Sequence, residues 1–259
     1  MASLSIVKSD PIGSVRACMR ALWISAALGL CLPPHLLWRL FKLASPWPRY
    51  FMRMAARACG ARVKLIGTPL RHEVFYVANH LSWIDIPIIG GFTGTAFVSQ
   101  DGIASWPIIG WLATLNRTIF VSREAKFAVA DQVQLLRDAI AEKQAVTIFP
   151  EGTTTDGRSL LPFKPSLFAT VVPPPKKLLI QPVLLDFDPV GPEIAWIGVE
   201  TAPQNAWRVF TRKGSFEVRV HFLEPFDPGD HPDRKKITAE ARGRLAVALS
   251  ESLGGLPVI

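Results

Sequence analysis

Two side chains near position 80 could move a proton. Asn79-His80 follows the apolar run VFYVA, and Asp85 stands five residues beyond His80. A carboxylate bonded to one imidazole nitrogen fixes the tautomer and leaves the other nitrogen as a base. A continuous helix turns positions i and i+5 about 140° apart. The pair therefore needs His80 in a loop and Asp85 in the first turn of the following helix. Nearby, Ser82 is the available hydroxyl, without a nucleophile-elbow context. A strand-end histidine satisfied by a local aspartate, with no further role, fits the same spacing. Two more clusters carry chemistry. Phe149-Pro150-Glu151-Gly152-Thr153 ends the run VTIFP; Gly152 permits close backbone approach and Thr153 offers a hydroxyl. Phe120-Val121-Ser122-Arg123 ends in a guanidinium suited to bidentate phosphate or carboxylate binding. Taken singly, these two read as an ordinary turn and a surface ion pair.

The elements that must position these groups alternate. Strand patterns cover Val63–Ile66, Val74–Ala78, Ala96–Ser99, Thr118–Val121, Val146–Phe149, Leu178–Phe187, Ile194–Val199 and Phe216–Glu224. Helical patterns cover Ile84–Gly91, Trp106–Leu115, Ala125–Gln144 and Pro232–Leu253. The alternation predicts an α/β domain with a mixed, mostly parallel sheet flanked by helices over residues 61–259. His80, Glu151 and Arg123 then sit at strand ends, where such folds place reactive groups.

Residues 1–60 read as a separate membrane-anchoring helical segment. The chain's 259 residues carry a net charge of +8, yet residues 1–70 hold ten Lys/Arg and one acid. That leaves nineteen bases and twenty acids elsewhere, so the globular part is close to neutral and nucleic-acid binding is disfavoured. The run from Ala21 to Trp38 has no charge and is flanked by Arg16, Arg20, Arg39 and Lys42. Pro33-Pro34 predicts a bend between two short helices that dip into one leaflet and return, both ends cytoplasmic. A secretory signal is the rival reading; the region after Cys31 lacks an A-x-A-like site. Arg49, Arg53 and Arg57 form a ridge on an amphipathic helix suited to a head-group boundary. Cys18, Cys31 and Cys59 are odd in number, lack metal spacing and suit a reducing compartment. The mean hydropathy of +0.25 follows from an apolar segment joined to an α/β core.

The three clusters together, in this order, resemble the glycerolipid acyltransferase family that makes phosphatidic acid from 1-acyl-glycerol-3-phosphate. Asn79, His80 and Asp85 match its N-H-x-x-x-x-D block, Phe120–Arg123 its second block, and Phe149–Thr153 its F-P-E-G-T block. Leu179-Ile180-Gln181-Pro182-Val183 is a fair match to the fourth, and the likeness covers about Val74 to Leu185. The resemblance implies that His80 is the general base, oriented by Asp85. It implies that Asn79, Arg123, Glu151, Gly152 and Thr153 serve the acceptor's head group. It also implies an acyl-CoA or acyl carrier protein donor, a lysolipid acceptor, no metal or redox cofactor, and monotopic attachment to the inner membrane. Thr154 departs from the pattern, because many members hold a basic residue there; Arg158 and Lys164 could substitute. The stretch from Gly152 to Phe168 is similar to a subgroup that includes lyso-ornithine lipid acyltransferases, the alternative reading. A non-catalytic lipid-binding protein and a hydrolase using the same pair are the competing classes.

Overall fold

The computed structural model describes residues 10–121, 134, 137, 138, 140, 145–175 and 177–256. Among them, seven strands form one sheet: β1 Ala61–Ile66, β2 Val74–Ala78, β3 Ala96–Gln100, β4 Ile119–Val121, β5 Val146–Ile148, β6 Leu179–Asp186 and β7 Phe216–Phe222. Their order is β1-β7-β6-β2-β5-β3-β4. Every pair is parallel except β6 with β7. The central strands β2 and β6 are buried along nearly their whole length, as expected for parallel strands covered on both faces. β7 alternates buried and open positions, as its sequence pattern predicts.

Two apolar clusters lie on opposite faces. One joins Tyr76, Ala78, Ile84, Ile88, Phe97, Val218 and Val220. It is covered by helices α1 Pro11–Leu40, α2 Trp47–Ala58, α3 Asp85–Thr93 and the helix Ala202–Thr211. The other joins Phe75, Val77, Phe168, Ile180, Leu184, Ile237 and Leu245. It is covered by the helix Arg234–Ser252, whose first turn is capped by the Asp233 carboxylate. His80 has the parity of Ala78 and so belongs to the first face.

Three expectations change. First, α1 runs unbroken through Pro33 and Pro34. The rings remove the hydrogen bonds to the carbonyls of Gly29 and Leu30, and both residues are exposed. Meanwhile Cys31 and His35 are buried on either side of the prolines, and His35 Nδ1 lies 2.8 Å from Ser45 Oγ. Tertiary burial thus carries the helix through, and the hairpin forms between α1 and α2 instead. Second, Ile194–Val199 is not a strand. Gly191–Ile194 forms a helical turn, and the Asn205 amide donates to the carbonyls of Ile194 and Ala195. Third, of the arginine ridge, Arg57 is exposed, while Arg49 and Arg53 turn inward. Both donate from Nε to the Gly91 carbonyl, at 3.4 and 3.1 Å, near the negative end of α3. Gly91 allows that approach: a Cβ there would lie 2.9 Å from the Arg53 amide nitrogen.

The amino-terminal helix is tied down by charge as well as packing. Arg20 donates to the carbonyls of Val209, Phe210 and Gly214 at 2.7, 3.1 and 2.9 Å. Charge-assisted bonds of this kind are the strong ones. Arg20→Met is therefore expected to destabilise the protein by about 2 kcal/mol, read as a lower denaturation midpoint in detergent.

Candidate active site

His80 leaves the end of β2 and enters a loop that closes on the first turn of α3. Asp85 Oδ2 lies 2.8 Å from His80 Nδ1. The same oxygen accepts the backbone N–H groups of Leu81 at 2.6 Å and Ser82 at 2.9 Å. Asp85 is fully buried, and the His80 side chain is 19% exposed. One carboxylate oxygen thus gathers the loop and the ring, and Nε2 is the ring nitrogen left to act as a base. The ring plane is set by stacking. Phe149 lies 4.0 Å from the imidazole at 17°, and Phe97 lies nearly parallel to Phe149 at 6.1 Å and 8°. The aromatic opening the F-P-E-G-T block is the platform for the histidine.

The rest of that block grips the His80 backbone from both ends. Glu151 Oε1 accepts the His80 N–H at 3.1 Å, and Oε2 accepts the Leu161 N–H at 2.9 Å. Thr155 N–H donates to the His80 carbonyl at 2.8 Å. Glu151 is only 3% exposed. Burial pushes its carboxyl up to about 7, although the two backbone bonds and His80 pull the other way. The Asn79 amide makes a paired clasp on Leu185, accepting its N–H at 2.7 Å and donating to its carbonyl at 3.0 Å. This extends the β2–β6 pairing one step beyond Ala78↔Val183. Asn79 and Glu151 therefore spend their polar atoms on the protein.

Gly152 adopts φ +69°, and a Cβ there would collide with the Lys164 ammonium. Lys164 thus supplies a cation at the turn where the sequence has Thr154 in place of a basic residue. Thr154 Oγ1 instead donates to the Trp196 carbonyl. Thr153 is exposed beside it. Arg158 pairs with Asp188 at 3.5 Å. Ser122, Arg123 and most of the expected helix Ala125–Gln144 lie outside the described residues; Gln134, Arg137, Asp138 and Ile140 of that stretch are helical.

Sequence reasoning did not single out the second support of the loop. Trp196 N–H donates to the Leu81 carbonyl at 2.8 Å. Ser82 Oγ donates to Asn205 Oδ1 at 3.0 Å, and Asn205 Nδ2 donates to Glu200 at 2.9 Å. Arg208 holds Glu200 through Nε and one terminal nitrogen, which keeps the Glu200 carboxyl below its usual value. The Ser82 hydroxyl is buried and committed, which removes it as a candidate nucleophile.

A family model described as Acyltransferase matches residues 62–186. The chain is 35% identical over 234 residues to a lyso-ornithine lipid O-acyltransferase of Rhizobium meliloti, covering 85% of this chain and 80% of that one. It is 30% identical over 166 residues to a 1-acyl-sn-glycerol-3-phosphate acyltransferase of Neisseria meningitidis, covering 62% and 63%. Its fold is similar to the crystal structure of the 1-acyl-sn-glycerophosphate acyltransferase PlsC of Thermotoga maritima, with TM-score 0.66 and 19% identity over 92% of this chain and 97% of that chain. With a His–Asp pair at a strand end, a clamp built from F-P-E-G-T and relatives of this kind over most of its length, the chain belongs to the acyltransferase family.

Proposed function

We propose that the protein transfers a fatty acyl group from an acyl thioester to the hydroxyl of lyso-ornithine lipid. The 2.8 Å His80–Asp85 pair, with Nε2 left open, carries the reading of the chemistry. Nε2 takes the proton of the acceptor hydroxyl as its oxygen attacks the thioester carbonyl carbon. The tetrahedral intermediate collapses with cleavage of the C–S bond. The imidazolium returns the proton to the leaving sulfur, and Asp85 stabilises the charged ring meanwhile. Holding both substrates together supplies much of the acceleration. The donor is carried on coenzyme A or acyl carrier protein.

Glu151 and Asn79 act as positioning residues in this scheme, while Arg123, Gly152 and Thr153 serve the acceptor's head group. Lys164 joins them and pairs with the acceptor's anionic group. One observation favours the ornithine acceptor: the Rhizobium relative matches more of the chain than the Neisseria one does. The F-P-E-G-T block, shared with the phosphatidic acid-forming members, keeps 1-acyl-glycerol-3-phosphate as the second reading. Parallel assays with the two acceptors decide between them. Lyso-ornithine lipid should give the larger kcat/KM by about tenfold, a difference of ~1.4 kcal/mol; the reverse order would favour the second reading. Lys164→Met should raise the acceptor KM about tenfold with kcat little changed.

The apolar helix α1 supports attachment to a membrane. Gly13, Ala17, Ala27, Cys31 and His35 are buried in one stripe along its length, so the helix lies against the protein rather than leaving it. Ile12, Val15, Met19, Leu22, Trp23, Leu30, Leu37 and Leu40 are exposed. A helix docked along one side and apolar on the other suits a position in the interface plane. We infer a monotopic protein, with the catalytic domain on the cytoplasmic side of the inner membrane.

A further inference from the structure

A second apolar surface lies outside the amino-terminal segment. The fifteen residues from Gly102 to Asn116 carry no charge, and nine of them form the helix Pro107–Leu115. Gly110 seats this helix on the turn Asp101–Ala104, since a Cβ there would collide with the Ala104 carbonyl. The contact leaves Ile108 and Ile109 outward, 66% and 49% exposed, between the exposed rings of Trp106 and Trp111. Such residues on a catalytic domain are an unusual surface for water.

Its position is fixed beside the helical hairpin. Asn116 Nδ2 donates to the Thr95 carbonyl at 3.2 Å, and the adjoining Gly94 reaches Arg49 of α2, whose Cδ would lie 3.7 Å from a Cβ there. Burial holds the His35 imidazole of α1 below its usual value, and the charges of Arg39 and then Arg117 act in the same direction. At this end of α1, Leu36, Leu37, Leu40 and Phe41 are exposed, and Arg39 and Lys42 are exposed among them.

We propose that the helix Pro107–Leu115 is a second membrane-contacting element, with Trp106, Ile108, Ile109 and Trp111 entering the interfacial layer of the leaflet that α1 meets. The inference rests on the in-plane reading of α1. A lipid surface is the occupant favoured over a protein for two reasons. Isoleucines between two tryptophans, closed by an arginine, match the composition of interfacial anchors. The exposed bases Arg39 and Lys42 at the end of α1 also suit anionic head groups.

The test uses the full chain with Cys18→Ser, because Cys18 is the exposed cysteine among three. An environment-sensitive dye is attached at Ile109→Cys or, separately, at Leu22→Cys on α1. Vesicles of phosphatidylcholine and phosphatidylglycerol should shift the emission of both to the blue. A shift at position 22 without one at 109 overturns the proposal and spares the reading of α1. No shift at either position overturns both. Ile108→Ser/Ile109→Ser should weaken vesicle binding about tenfold, with transfer to a short-chain, water-soluble lysolipid retained. Unchanged vesicle binding by this variant would also overturn the proposal.

Discussion

Replacing His80 with Ala is expected to lower acyl transfer by about 10²–10⁴-fold, with the fold and membrane binding kept. The loss follows from removing the proposed base for the acceptor's proton. Retention of the fold follows from the hydrogen bonds around it. Asp85 keeps the Leu81 and Ser82 N–H groups, and Glu151 and Thr155 bind the backbone of residue 80 rather than its ring. A steady-state assay beside a thermal melt checks both halves. Near-normal turnover in a folded His80→Ala protein would remove the proposed mechanism. In the proposed mechanism the hydroxyl attacks as its proton leaves, so the loss should appear in kcat more than in acceptor KM.

Glu151→Gln carries the second large effect, and its signature separates two roles. A carboxylate accepts two N–H groups; an amide offers one acceptor and turns an NH₂ against the other N–H. Leaving a buried donor unpaired costs about 1–3 kcal/mol, and the loop holding His80 should move. We expect kcat to fall about 10–100-fold with acceptor KM little changed. A raised KM with intact kcat would instead mark Glu151 as a head-group ligand. The pH dependence has a definite sign. The carboxyl's ordinary value is 4.5, and the folded value is about 7. Between these values the folded chain holds a proton that the unfolded chain has released. The associated stability is full below about 4.5 and declines as pH rises through about 7, by at most ~1.4 kcal/mol per pH unit. Glu151→Gln should flatten that decline in denaturation midpoints measured across this range.

What the sequence revealed, and what it hid, follows the range of the interactions. The His80–Asp85 geometry was legible because the loop and first helical turn are local, five residues apart. Strand patterns located the sheet because the central strands are continuous apolar runs. The role of Glu151 was hidden, since its partners are the backbone N–H groups of His80 and Leu161, and backbone donors leave no trace in residue type. Thr155 was hidden for the same reason. Asn205 and Ser82 are 123 positions apart, beyond any spacing rule. Pro33-Pro34 misled because local breaking signals lose to the burial of Cys31 and His35. The stretch Ile194–Val199 misled because a β-type composition was placed after Gly191-Pro192, which starts a helical turn.

The proposed reaction is direct transfer from thioester to a lysolipid hydroxyl, with His80 as base and no acyl-enzyme. Its most direct measurement is a single-turnover reaction of the purified protein with a radiolabelled acyl thioester, with and without lysolipid, followed by separation of lipid, free acid and protein. Label is expected in the acylated lipid alone, appearing only when acceptor is present and at the rate of thioester loss. Label released as free fatty acid at the same rate without acceptor, or retained on the protein, would contradict it.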